Sequence, residues 1–179
     1  IDFCKMKAGP TYLESTVSIL VTHENQLGWY CLTMPVTNED SARGGRNAWG
    51  FPKVVRKITL ERGENRYVGT SYDADGKTAE LRLALEVKKT PLSSEEKGFL
   101  DFISPLPSFT LKADRVLTWS GSKYRIYEWE KVAPHIWEVK FGRGAVEFPK
   151  DPKNLLCRLN PGRFLVGYWY RQRHEYVLT

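Results

Sequence analysis

A chain of 179 residues, 41% hydrophobic and 27% charged, has the length and balance of one globular domain with its own core. No run approaches the ~18 apolar residues of a membrane-spanning helix; no charged-then-apolar leader opens the chain, so a membrane partner is not expected, and Ile1 in place of an initiator Met points to trimming or truncation. The 27 Lys and Arg against 21 Asp and Glu give a net charge of +6, spread along the chain and dense only at Arg171-Gln172-Arg173-His174, which is the pattern of a solvated surface and not of a nucleic-acid partner.

Strand signals dominate. Residues 16–22 are β-branched and partly alternating, and residues 29–36 follow an Asn25-Gln26-Leu27-Gly28 turn. Residues 53–60 read as one strand, ended by Glu61-Arg62-Gly63-Glu64-Asn65. Residues 67–73 and 78–88 read as a hairpin about Asp75-Gly76. Alternation through Glu80, Leu81, Arg82, Leu83 and Leu85 leaves one face of it wet. Ser93-Ser94-Glu95-Glu96 is a capping box opening a helix over 94–104 that Pro105 stops.

Strands over 109–119, 124–131, 136–141 and 145–148 follow. A second short helix is expected over 152–159, with Pro152 at its first position and Asn160-Pro161-Gly162 at its end. The chain closes with a strand over 163–178, bent at Gly167. Many short strands with two brief helices predict a mainly β, β-rich α+β domain, its largely antiparallel sheet curled into a barrel or a sandwich. No repeat, linker or composition shift divides residues 1–179.

Cys4, Cys31 and Cys157 are odd in number and form no CxxC or Cys/His pattern, so free thiols in a reducing compartment, the cytoplasm, are expected. His23, His135 and His174 are equally scattered, and no metal site is expected.

The chemistry lies in Gly44-Gly45-Arg46-Asn47-Ala48-Trp49-Gly50-Phe51-Pro52-Lys53, followed by Val54 and Val55. An ammonium among apolar neighbours is costly to keep charged, because burial disfavours the ionised form. The customary use of a lysine so placed is as a neutral amine that attacks a carbonyl carbon. Read from its neighbours alone, Lys53 is first a strand-end lysine with its stem on apolar surface and its head in water. Trp49 and Phe51 are expected to form the apolar wall beside it. Arg46, after glycines able to take left-handed turns, either clamps a substrate carboxylate through a bidentate pair or holds the lysine loop in shape, the second being favoured.

Gly45, Arg46, Trp49, Gly50, Phe51, Pro52 and Lys53 match the lysine motif of the acetoacetate decarboxylase family, which the chain resembles over nearly its whole length. Tyr12-Leu13-Glu14 looks like the family's Tyr-x-Glu, at the family's separation from the lysine. Pro107-Ser108-Phe109-Thr110-Leu111-Lys112 looks like its Pro-x-Tyr/Phe-x-Leu-Lys strand. The resemblance implies a closed, cone-like β-barrel with the active site inside. It implies Lys53 as the Schiff-base nucleophile and Glu14 as an acid/base or substrate-orienting carboxylate, whose plain alternative is a polar residue before a strand. Arg46, Trp49 and Phe51 would lie at the substrate, a small oxo acid, in a homo-oligomer. No metal or organic cofactor is implied, because a protonated imine is itself the electron sink.

Two departures matter. Val54 stands where the family has a second lysine, and a neighbouring cation is one way to activate such an amine. Arg56 and Lys57 are too far along a strand, at ~3.3 Å per residue, to replace it. The family's portion upstream of Tyr-x-Glu, with a further glutamate and an arginine, has no counterpart before Ile1, so an N-terminal portion is expected to be missing. Both departures turn the expectation away from acetoacetate. The runner-up keeps the imine and changes the reaction, to aldol condensation, dehydration or cyclisation of a larger oxo acid or aldehyde. A non-catalytic barrel binding a small molecule is the reading from another class. Tyr168-Trp169-Tyr170 with Arg171 is read as packing or a subunit contact in preference to a stacking platform.

Overall fold

Period-two alternation writes most of the structure, a computed structural model that describes residues 1–3, 11–88, 90–128, 131, 133, 136–152, 154–159 and 162–172. Strand β1 (Asp2–Phe3) pairs antiparallel with β2 (Tyr12–Leu13). Strands β3 (Val17–His23) and β4 (Gln26–Val36) form a hairpin, β3 alternating half-buried and exposed along its length. Its turn is Glu24-Asn25, both at positive φ (48° and 63°), one step before the Asn25–Gly28 turn expected. Two left-handed residues match the twist of the flanking strands.

Helix α1 (Glu39–Trp49) occupies the stretch read from sequence as a glycine turn. Asn38 caps it by accepting from the Ser41 N–H at 2.9 Å, Glu39 and Asp40 stand in its first turn, and Gly50 ends it at φ 66°. Gly44 and Gly45 are therefore helical.

The expected strand over 53–60 is two strands. Strand β5 (Lys53–Val55) runs parallel to β4, and β6 (Ile58–Arg62) runs antiparallel to β7 (Arg66–Tyr72). Between them Arg56 N–H donates to Val36 O at 2.9 Å and Lys57 O accepts from Tyr72 N–H at 3.0 Å, so the chain changes partners at Arg56-Lys57. Strand β8 (Ala79–Val87) returns along β7 through a turn with Gly76 at φ 70°, the hairpin expected. Helix α2 (Ser94–Ile103) carries the expected capping box, with reciprocal bonds between Ser93 and Glu96.

The expected strand over 109–119 is the hairpin of β9 (Ser108–Lys112) and β10 (Arg115–Trp119), turned at Ala113 with φ 55°. Within the stretch expected as a strand over 124–131, Ile126–Glu128 is a single 3-10 turn. Strand β11 (Ile136–Glu147) runs unbroken where two strands were expected. The helix expected over 152–159 is a 3-10 turn at Leu155–Arg158, and β12 (Gly167–Gln172) begins at the expected bend. Residues 163–166 of that expected strand are irregular, and its reach over 173–178 lies outside the described residues, as do Cys4, His135 and His174.

Sheet one runs β10-β9-β4-β3 with β5 also on β4, and sheet two runs β12-β11-β8-β7-β6. Among the described residues the protein is mainly β with two α-helices, but the pairings leave two curled five-stranded sheets beside the β1-β2 pair and do not close a barrel. The antiparallel expectation is also modified: β4 takes parallel partners, β9 at Trp29 and Tyr30 and β5 at Met34 to Val36. No described helix is long and apolar enough to cross a membrane.

Candidate active site

Lys53 and Glu14 meet because both flank the C-terminal end of β4. Glu14 lies opposite Val36 in an antiparallel bridge, and Lys53 lies opposite Met34 in the parallel pair. Met34 and Val36 are two positions apart and so share a face, as do paired residues across a ladder. Both side chains therefore rise from one face with β4 between them, two strand spacings (about 9.5 Å) apart across the sheet and staggered by two residues (about 6.6 Å) along it. Their lengths close that gap: Lys53 Nζ donates to Glu14 Oε2 at 2.7 Å. Only 6% of Lys53 and 7% of Glu14 is exposed. The Glu14 segment is fixed by Ser15 N–H on Pro35 O (2.9 Å), Thr37 N–H on Leu13 O (3.1 Å) and Leu13 N–H on Thr37 Oγ1 (2.9 Å).

Helix α1 lies over β5 with its buried residues Ala42 and Gly45. Arg46 ties the two together: its Nη1 donates to Lys53 O at 2.8 Å and its Nη2 to Glu39 Oε1 at 3.2 Å. The C-terminal end of the helix is held by β9, where Thr110 Oγ1 donates to Trp49 O at 2.7 Å and Lys112 Nζ to Ala48 O at 3.2 Å. A lysine on those last carbonyls also complements the negative end of the helix dipole. The third matching segment of the sequence thus holds the lysine motif in place.

Trp49 and Phe51 pack on one another, with ring centroids 6.4 Å apart, and on Trp119 of β10, at 6.3 and 6.0 Å. Trp119 Nε1 in turn donates to Thr110 Oγ1 at 3.2 Å. The Tyr12 ring stands beside the Lys53 ammonium, its centroid 5.3 Å from Nζ. Burial, aided by the Glu14 charge, pushes the Tyr12 phenol up to about 12, against a hydrogen bond with Ser41. Burial and Glu14 likewise push the Cys31 thiol up to about 12, with Lys53 opposing. Phenol and thiol therefore keep their protons at neutral pH. Among the described residues no three His, Cys, Asp or Glu side chains are grouped to hold a metal.

Of the residues singled out from sequence, the fold joins Lys53 to Glu14 directly and Arg46 to the Lys53 backbone, and gathers Trp49 and Phe51 into the neighbouring aromatic cluster. Tyr12, Cys31 and Gly45 were not read as site residues. Tyr12 was within reach, since a residue two before Glu14 on an extended segment shares its face. Cys31 depends on β4 passing beneath both partners, which no local pattern announces.

The family model described as acetoacetate decarboxylase (ADC) matches residues 1–176. The acetoacetate decarboxylase of Burkholderia cenocepacia is 30% identical over 101 residues, which is 56% of this chain and 39% of the relative. That of Ralstonia nicotianae is 29% identical over the same shares. Among solved structures, acetoacetate decarboxylase from Legionella pneumophila superposes with a TM-score of 0.66 at 19% identity, over 89% of this chain and 62% of its own. The enduracididine biosynthesis enzyme MppR complexed with pyruvate superposes at 0.60 and 12% identity, over 89% and 62%. These structural likenesses establish the fold, and the chain spans only part of each relative's length. With its lysine motif, its buried Lys53–Glu14 pair and a family match over residues 1–176, the chain belongs to the acetoacetate decarboxylase family.

Proposed function

We propose that this chain carries the Schiff-base centre of a carbon–carbon lyase acting on a small oxo acid, with Lys53 as nucleophile and Glu14 as its proton partner. The observation that carries the reading is the 2.7 Å contact between a buried amine and a buried carboxylate. Transfer of one proton from Nζ to Glu14 leaves a neutral amine beside a neutral acid and creates no net buried charge. The amine then attacks the ketone carbon. Glu14 returns the proton to the carbinolamine hydroxyl, which leaves as water and gives the iminium ion. With a β-carboxylate on the substrate, carbon dioxide departs and its bonding pair flows into the iminium, forming an enamine. Protonation on carbon and addition of water release the ketone and restore Lys53. The face of the Tyr12 ring, 5.3 Å from Nζ, suits the cationic stage.

The test is borohydride reduction of the full-length gene product in the presence of acetoacetate or pyruvate, followed by peptide mapping. A reduced adduct on Lys53 is expected. Label on another lysine, or none with either acid, sinks the assignment. Product analysis fixes the step after the imine: release of carbon dioxide gives the decarboxylase, whereas a retained carboxylate with a new carbon–carbon bond gives the aldol or cyclising reaction.

A further inference from the structure

We propose that Gly45 is the positioning residue for Lys53: the absent β-carbon at this one helical position opens the path by which the lysine stem reaches Glu14. A β-carbon on Gly45 would stand 2.5 Å from Lys53 Cδ, 2.7 Å from Cε and 3.2 Å from Cγ. Carbon atoms settle at about 3.5–4.0 Å, so all three contacts are violated. A free side chain would swing aside. Lys53 is not free, because its Nζ is bonded to Glu14 and faces the Tyr12 ring, in a setting where 6% of the residue is exposed.

Nor can the helix retreat. The adjacent Arg46 holds Lys53 O at 2.8 Å, and Thr110 holds Trp49 O at 2.7 Å. Gly50 sits so close to β9 that its own β-carbon would be 2.6 Å from Leu111 O. The displacement must therefore fall on the lysine stem and draw Nζ off Glu14.

Gly44 is the internal contrast. It lies one position earlier in the same helix, and a β-carbon there would meet nothing within 4 Å. Both glycines weaken a helix relative to alanine, but only Gly45 has a packing reason to be glycine. The geometric claim stands on these distances alone, and its consequence for reactivity rests on the Schiff-base reading above.

The experiment compares Gly44→Ala, Gly45→Ala, Lys53→Ala and the Gly45→Ala/Lys53→Ala pair in the full-length gene product. Thermal unfolding is expected to show Gly44→Ala at or above the unaltered Tm and Gly45→Ala below it. In the Lys53→Ala background, where the stem is gone, Gly45→Ala should no longer lower Tm. Borohydride trapping with pyruvate is expected to slow at least about tenfold in Gly45→Ala at saturating pyruvate, with half-saturation changed less than about threefold; that factor of ten corresponds to about 1.36 kcal/mol in the activation barrier. Gly44→Ala should trap like the unaltered protein. An equal loss of Tm in both backgrounds overturns the inference, as does trapping at the unaltered rate in folded Gly45→Ala. If Gly45→Ala does not fold, recovery on adding Lys53→Ala supports the inference and failure of the pair to fold overturns it. If the unaltered protein traps neither pyruvate nor acetoacetate, the Schiff-base reading falls and the thermal comparison decides the positioning claim by itself.

Discussion

Glu14 Oε2 accepts a 2.7 Å hydrogen bond from Lys53 Nζ across the width of β4, although the two residues are 39 positions apart in sequence. Both side chains are 7% exposed, so the pair has left water behind on both sides. Desolvating two charges offsets most of their attraction, and a buried pair is weak evidence for stability. Its place inside a sheet face fits the proton exchange proposed for the amine and carboxylate.

Removing one partner should therefore cost far more than removing both. Glu14→Leu or Lys53→Met alone is expected to destabilise the fold by about 3–5 kcal/mol, because the other group is left buried without compensation. The double variant should recover most of that loss. Denaturant unfolding of the full-length gene product measures all three, and single variants as stable as the unaltered protein would show that water reaches the pair.

Glu14→Gln isolates the proton transfer from the shape. The amide oxygen can still accept from Lys53, but the side chain no longer takes up and returns a proton. Imine formation with pyruvate should slow by about 10²–10⁴, the usual contribution of a positioned acid/base group. The end-point adduct should still map to Lys53. An unchanged trapping rate would remove Glu14 from the proton path.

Arg46 holds backbone, and its variants should say so. Its Nη1 serves Lys53 O, whereas its ion pair with Glu39 joins side chains 43% and 65% exposed. Arg46→Met is expected to cost about 1–3 kcal/mol through the orphaned carbonyl. Glu39→Gln should change stability by no more than about 0.5 kcal/mol, as exposed pairs contribute little. Half-saturation by pyruvate should barely move in Arg46→Met. Loss of affinity with stability intact would give Arg46 the substrate-clamping role instead.

The sequence carries the lysine motif, the Asp75-Gly76 hairpin and the Ser93 capping box in local patterns, and all three stand in the structure. Helix α1 was hidden by Gly44 and Gly45, which read as a turn because glycine is the poorest ordinary helix former. Tertiary packing of Gly45 on Lys53 outweighs that propensity, while the Asn38 cap and the acidic first turn were the local signs of a helix start. The break between β5 and β6 shows in sequence only as a lapse of alternation, two apolar residues (Val54-Val55) followed by two polar ones (Arg56-Lys57), where the chain moves from one sheet to the other. The face shared by Glu14 and Lys53 is likewise set by strand neighbours distant in sequence, which no window along the chain contains.

High pH should loosen the site. The Cys31 thiol is moved from its ordinary 9.0 to about 12 by burial, Glu14 adding to the effect and Lys53 opposing it. The Tyr12 phenol is moved from 10.0 to about 12 by burial and Glu14, against Ser41. Both groups hold their protons to higher pH in the folded chain than in the unfolded one. Between pH 9 and about 12 the unfolded state therefore binds fewer protons, so the stability present below pH 9 is lost as pH rises through that window. The Tyr12→Phe/Cys31→Ala variant should lose stability less steeply over the same window. Tyr168, also raised to about 12 by burial, is common to both proteins and cancels in the comparison. Parallel pH profiles would mean that neither group is withheld from solvent.

Val54 deserves less weight than its place in the motif implies. It pairs with Pro35 while Lys53 pairs with Met34, and successive residues of a strand point to opposite faces. A lysine at position 54 would leave β5 on the side away from Glu14 and the Lys53 side chain. Direct repulsion between the two ammonium groups then has to act through the strand, and not across a shared pocket. Val54→Lys is accordingly expected to change the rate of imine formation with acetoacetate by less than about threefold, which is under 1 kcal/mol at 1.36 kcal/mol per tenfold. Borohydride trapping at several acetoacetate concentrations measures it. A gain of tenfold or more would mean that the second cation acts on Lys53 from the opposite face, and would return the missing lysine to the centre of the question of substrate.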